Sequence, residues 1–240
     1  MLSVLSIGNS FSQDAQRYLH QTAAADGVEL TCVNLYIGGC PLWRHFRNYE
    51  LDEKAYELQY NGECTGFNVS IREALLNREW DYVTLQQASH FSPKYETYEP
   101  YLTSLAAEIR RLCPQARFAI HETWAYAQDS ERLTQMMGYT DEHDMFREIE
   151  SAYTQAAADS HAELMIPAGR AMMALRDMGL TAHRDGFHAS RGMGRYAIAL
   201  TWYHALTGGS IADNALTSFD VPVSPEEIRS AKKAAETAFA

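Results

Sequence analysis

The sequence is short of positive charge: 20 lysines and arginines stand against 31 aspartates and glutamates, for a net charge of −11. No basic footprint exists to release counterions from phosphates, which argues against nucleic-acid and anionic-membrane partners. Long apolar runs are missing too, none approaching the ~20 residues that span a bilayer. No leader pattern precedes the first strand, since Met1 runs directly into Leu2-Ser3-Val4-Leu5. As written the chain is therefore expected to be cytoplasmic, although a secreted chain stripped of its signal would read the same way. Cysteine is scarce, and Cys32, Cys40, Cys64 and Cys113 show neither C-x-x-C nor metal-type spacing with histidine. They read as reduced thiols in or near the core. His183 and His188 are close in sequence, but with no H-E-x-x-H and no acidic cluster no metal or cofactor is expected.

What remains is an ordinary globular composition, 46% hydrophobic and 21% charged over 240 residues, enough to bury one core without staples. Residues 1–240 are read as one domain, with a small insertion near 54–68. Leu2 to Ile7 reads as a strand ending at Gly8. Apolar residues at helical spacing follow from Phe11 to Ala23, stopped by Gly27. Val28 to Ile37 is a second strand ending at Gly38-Gly39, and a short helix follows Pro41. In the insertion, Tyr56, Leu58 and Tyr60 alternate up to Asn61-Gly62, which predicts a hairpin outside the main sheet. Helix and strand then alternate. Strands are expected at Tyr82–Leu85, Arg117–His121 and Glu163–Ile166, with helices near 70–77, 98–112, 141–160, 169–178, 190–207 and 224–240.

Such alternation implies an α/β fold, a three-layer α/β/α sandwich around a flavodoxin-like parallel sheet of about five strands. In these folds the site lies at the carboxyl ends of the strands. That places attention on Gly8-Asn9-Ser10, Gly38-Gly39, Gln86-Gln87 and His121-Glu122. Ser10 sits where a helix N-terminus offers free N–H groups to a developing oxyanion. Equally, Ser10 and Gln13 form an S-x-x-Q capping box that a purely structural helix start would use. Asp185-Gly186-Phe187-His188 places a carboxylate three residues before an imidazole whose tautomer it could fix. The bland reading is a surface loop, with Ser190 capping the next helix.

Together, Gly8-Asn9-Ser10-Phe11-Ser12 and Asp185-Gly186-Phe187-His188 resemble the first and last blocks of the SGNH-hydrolase (GDSL-like lipase/esterase) superfamily. Asn34 to Gly39 resembles its second block. More narrowly, the I-G-N-S-F-S start, W-D-Y-V-T-L-Q-Q and D-G-F-H-A-S resemble an uncharacterised bacterial branch common in gut bacteria. The resemblance spans roughly Leu2 to Gly208. It implies a serine esterase in which Ser10 is the nucleophile, His188 the base and Asp185 its orienter. The oxyanion hole would be the N–H groups of Ser10 and Gly39 plus the Gln87 amide, with Gln86 as the fallback. Two positions depart from the family pattern: Asn9 replaces the usual aspartate, and Gln86-Gln87 replaces an asparagine.

Asn9, Gln86, His121 and Trp124 are candidate pocket-lining residues. Trp43, Trp124 and Tyr126 could form a sugar-stacking wall, though aromatics so spaced more often serve packing. The expected substrate is a small acyl ester, acetyl above all, with carbohydrate as the alcohol by family analogy. Two other readings stand: an SGNH-like domain that binds ligand or carbohydrate without hydrolysing, and a phosphate-cradling turn at Gly8-Asn9-Ser10.

Overall fold

β1 (Leu2–Gly8) and β2 (Leu30–Tyr36) are almost wholly buried, the mark of strands covered on both faces. A computed structural model describes residues Met1–Ala240. Between these strands lie α1 (Ser10–Gln16) and α2 (Leu19–Ala25). The sequence predicts one helix here. The break at Arg17–Tyr18 leaves Arg17 free to reach Gly62 O, Glu63 and Asp220, while the Tyr18 hydroxyl donates to Arg191 O at 2.7 Å.

After α3 (Leu42–Glu50) come β3 (Tyr56–Tyr60) and β4 (Glu63–Val69), then α4 (Ile71–Leu76) and β5 (Tyr82–Leu85). The remainder is α5 (Tyr101–Leu112), β6 (Arg117–His121), α6 (Glu142–Asp159), β7 (Leu164–Ile166), α7 (Ala168–Asp177), α8 (Met193–Thr207) and α9 (Pro225–Thr237). The sheet order is β4-β3-β2-β1-β5-β6-β7. Its five parallel strands, β2-β1-β5-β6-β7, have the doubly wound order in which the chain reverses direction beside β1. Helices α3, α4 and α5 pack together, while α1, α2, α7 and α9 gather around α8. α8 is apolar nearly all round and correspondingly buried, with Trp202 fully enclosed. The buried apolar side chains form one cluster of 64 residues, and no helix is long and apolar enough to cross a membrane.

The insertion departs from expectation. The hairpin forms at Asn61-Gly62, but it is not outside the sheet: β3 pairs antiparallel with β2 from Val33–Tyr60 to Tyr36–Glu57. Asn61 secures the join, its N–H donating to Cys32 O at 2.8 Å and its Oδ1 accepting from Cys32 N at 3.0 Å. Without the hairpin β2 would be an unpaired edge. The sheet therefore has seven strands, five parallel and two antiparallel. Cys32, Cys40 and Cys113 are buried thiols as expected, but Cys64 rides exposed on β4.

Gly62 has φ +82°, and a Cβ there would stand 2.5 Å from Arg17 O. Gly62→Ala should destabilise the whole fold by about 1–3 kcal/mol, through left-handed strain and backbone overlap. A urea or thermal melt measures this. An unchanged midpoint would mean that the hairpin is energetically detached from the sheet.

Candidate active site

The turn after β1 resolves one ambiguity. Asn9, not Ser10, caps α1: its Oδ1 accepts from Phe11 N at 3.0 Å, and its own N–H donates to Ser12 Oγ at 3.0 Å. Ser10 is thus the first helical residue, with its hydroxyl not used by the cap. The S-x-x-Q box does not form.

That hydroxyl faces His188. Ser10 Oγ lies 2.8 Å from His188 Nε2, and His188 Nδ1 lies 2.7 Å from Asp185 Oδ2. An ionised carboxylate can only accept, so the ring proton sits on Nδ1 and Nε2 keeps its lone pair towards Ser10. Burial pushes the Asp185 carboxyl up, but the His188 ring and backbone N–H groups outweigh it and hold the acid below the usual range. The turn can fold back so tightly because Gly186 adopts φ +85°, a conformation other residues resist. Around it, His183 and Ala189 bridge antiparallel, and Arg184 N donates to His188 O at 3.0 Å. Ser190 contributes too, accepting from Gly194 N at 2.9 Å, although α8 starts after Gly192.

The loop is fastened to the helix that Ser10 opens by a residue the sequence reading missed. Asp14, one turn beyond Ser10 and fully buried, accepts from Arg184 Nη1 at 2.9 Å, Arg195 Nε at 2.8 Å and Ala189 N at 3.1 Å. Trp124 makes a second link. Its ring stacks on Phe11 at 4.1 Å, and its Nε1 donates to Phe187 O at 2.7 Å.

A cavity of about 420 Å³ opens over Ser10 and His188, lined also by Asn9, Gly39, Ser89 and Tyr126. Of the expected lining residues, Asn9 is at the wall. Gln86, His121 and Trp124 lie beneath it, all buried. His121 Nδ1 donates to Gln86 Oε1 at 2.6 Å, Gln86 Nε2 to Asn9 Oδ1 at 2.7 Å, and Asn9 Nδ2 to Cys40 O at 3.2 Å. This relay ties the ends of β6 and β5 to the two loops where Ser10 and Gly39 sit. Burial pushes His121 down to about 3, so its ring is neutral at ordinary pH. Of the expected aromatic wall only Tyr126 lines the cavity, its hydroxyl 2.9 Å from Ser89 Oγ, and Trp43 lies elsewhere on α3.

Gln87 is the clear correction. Its Oε1 accepts from Leu42 N at 3.0 Å and Ala88 N at 2.9 Å, while its Nε2 donates to Thr97 O at 3.0 Å and Thr97 Oγ1 at 3.1 Å. Both ends of the amide are committed, and the residue does not reach the cavity. Gln86, the fallback, is held in the relay. The backbone N–H groups of Ser10 and Gly39, by contrast, donate to no protein acceptor. Other wall residues went unrecognised: Arg132, Arg184, Met136 and His90 carry no sequence signal beyond their type.

Gln87→Ala should act as a packing lesion, lowering stability by about 1–3 kcal/mol for each buried partner left unpaired. Paired melting curves and active-site titration of the folded protein check this. A selective fall in turnover of a fully stable variant would restore Gln87 to the chemistry.

A family model described as a domain of unknown function, DUF4886, matches residues 3–238. A crystal structure of a DUF4886 family protein from Bacteroides uniformis ATCC 8492 shares 34% identity with a TM-score of 0.93, over 99% of this chain and 94% of that one. A candidate SGNH hydrolase from Slackia heliotrinireducens shares 25% identity at a TM-score of 0.60, over 85% of this chain and 98% of its own. The acetylxylan esterase Axe2 from Geobacillus stearothermophilus has 14% identity and a TM-score of 0.58, over 86% and 94%, a likeness of fold. No curated protein matches the sequence.

Proposed function

The chain belongs to the DUF4886 family, and we propose that it is a serine esterase of SGNH type that cleaves small acyl esters. One observation carries this reading: the line of Ser10 Oγ, His188 Nε2 and Asp185 Oδ2, at 2.8 and 2.7 Å, beneath an open cavity. His188 takes the Ser10 proton as the hydroxyl attacks the ester carbonyl, and Asp185 holds the imidazole and steadies its charge. The free N–H groups of Ser10 and Gly39 receive the oxyanion. His188 then protonates the leaving alcohol, and water activated by the same ring releases the acid from Ser10. Acetyl esters of carbohydrate are the substrates this reading favours, with the acetylxylan esterase of like fold as its support.

A second reading has its own observation. With Gln86 and Gln87 both engaged elsewhere, the hole has no glutamine donor, which favours a domain that binds esters without turning them over. A fluorophosphonate probe separates the two. The esterase reading expects one label per chain and hydrolysis of p-nitrophenyl acetate, both abolished by Ser10→Ala. An unlabelled, inactive parent protein would leave the binder.

Asp185→Asn should cost at least ~100-fold in turnover by disturbing the tautomer. Activity should also fall on acidification, because a protonated imidazole cannot accept the Ser10 proton. Asp185, held below the usual carboxylate range, stays ionised as this loss sets in. A flat pH–rate profile would remove His188 as the general base.

A further inference from the structure

The cavity wall inverts the charge of the molecule. The chain carries a net −11, yet the wall contains Arg132 and Arg184 and not one aspartate or glutamate. Arg184 is spoken for by Asp14 and Ala189 O. Arg132 is not: its guanidinium makes no ion pair and donates to no protein acceptor, and instead lies over the Phe187 ring, 4.1 Å from its centroid. The Phe187 ring is in turn 3.8 Å from the His188 ring, so the cation sits one aromatic ring away from the base.

This position is built rather than accidental. Arg132 opens a π-helical turn, Arg132–Met136, and the next residue, Leu133, is fully buried and pins the turn to the core. Contact with the Phe187 ring holds the guanidinium in place while its N–H groups stay without a protein acceptor, and such free N–H edges can grip a carboxylate with two parallel bonds. An acidic protein repels anions in general. This cavity's own wall carries no carboxylate; Asp129, Glu131 and Asp185 line instead the adjoining hollow that Arg132 and Arg184 also border. Inside the cavity the free guanidinium is therefore what an anion meets.

We propose that the site selects esters bearing a carboxylate, with Arg132 as the residue that holds that group beside the scissile bond. The ester part rests on the esterase reading above; the anion site stands on Arg132 and the wall around it. Carbohydrate substrates of this chemistry are acylated acidic sugars.

The test compares anionic and neutral probes in native protein, Arg132→Lys and Arg132→Gln. On the alcohol side the pair is 4-acetoxybenzoate and 4-acetoxybenzamide. On the acyl side it is the 4-nitrophenyl monoester of succinate and 4-nitrophenyl butyrate. In at least one pair the ratio of kcat/KM, anionic over neutral, should fall about tenfold in Arg132→Gln, the worth of a charge-assisted hydrogen bond, and less in Arg132→Lys. Raised salt should shrink the native ratio. Ratios unmoved by Arg132→Gln in both pairs would overturn the proposal. If no ester turns over and no fluorophosphonate labels Ser10, the esterase reading has failed separately. Calorimetry with 4-acetamidobenzoate and 4-acetamidobenzamide then decides the anion site: a preference for the acid that Arg132→Gln removes upholds it, and equal binding overturns it.

Discussion

The buried carboxylate of Asp14 is the constraint on which the site's geometry depends. It stands on the same helix as Ser10, one turn further on, and receives bonds from Arg184, Arg195 and Ala189, all from the far end of the sequence. Those donors flank the Asp185–His188 turn. The distance between Ser10 and His188 is therefore set by an ion cluster outside the Ser10–His188–Asp185 line, not by the 2.8 Å bond they share. A carboxylate removed from water is costly unless its oxygens are satisfied, and here two guanidinium groups and a backbone N–H offset that cost. Deleting one partner of such a cluster commonly costs about 3–5 kcal/mol, because the other charges stay buried without it. The Ser10–His188–Asp185 line inherits this rigidity.

A second device works on the other side of Ser10. The His121–Gln86–Asn9–Cys40 relay crosses the carboxyl ends of three neighbouring parallel strands and fixes the loops that present the Ser10 and Gly39 N–H groups. Here glutamine at the end of β5 is a strut. Its long stem reaches across to Asn9, which both caps α1 and lines the cavity. The departure of Asn9 from the superfamily pattern acquires a physical sense: its amide can accept from Phe11 and Gln86 while donating to Cys40, and an aspartate could not make that donation.

How much of this could be read in advance depended on how local the signal was. Tyr82–Leu85 and Arg117–His121 are legible to the residue, because strands buried on both faces are short apolar runs between polar breaks. The Asn61-Gly62 turn is legible from its own dipeptide, but the hairpin's membership of the sheet is not. Alternating Tyr56, Leu58 and Tyr60 suit a free hairpin as well as one paired to β2, and the partner lies more than twenty residues away. Ser10, Asp185 and His188 stand out by type and spacing, and the fold brings them together. Gln87 misled because an amide's direction is set by what surrounds it, here Leu42 and Thr97, which no local pattern reveals. Asp14 and Arg132 were invisible for a related reason. A single charge on a helix looks like solvated surface until the chain's distant parts are folded against it.

The separation of Ser10 from His188 by 178 residues has a consequence for the life of the chain. Synthesis proceeds from the N-terminus, so the strand and helix bearing the serine leave the ribosome long before the loop bearing its base. Until Arg184 and Ala189 arrive to satisfy Asp14, nothing aligns a proton acceptor with Ser10. On the esterase reading proposed above, the nascent polypeptide carries an inert hydroxyl, and the Ser10–His188–Asp185 line forms only when the sheet has closed and its last helices have docked.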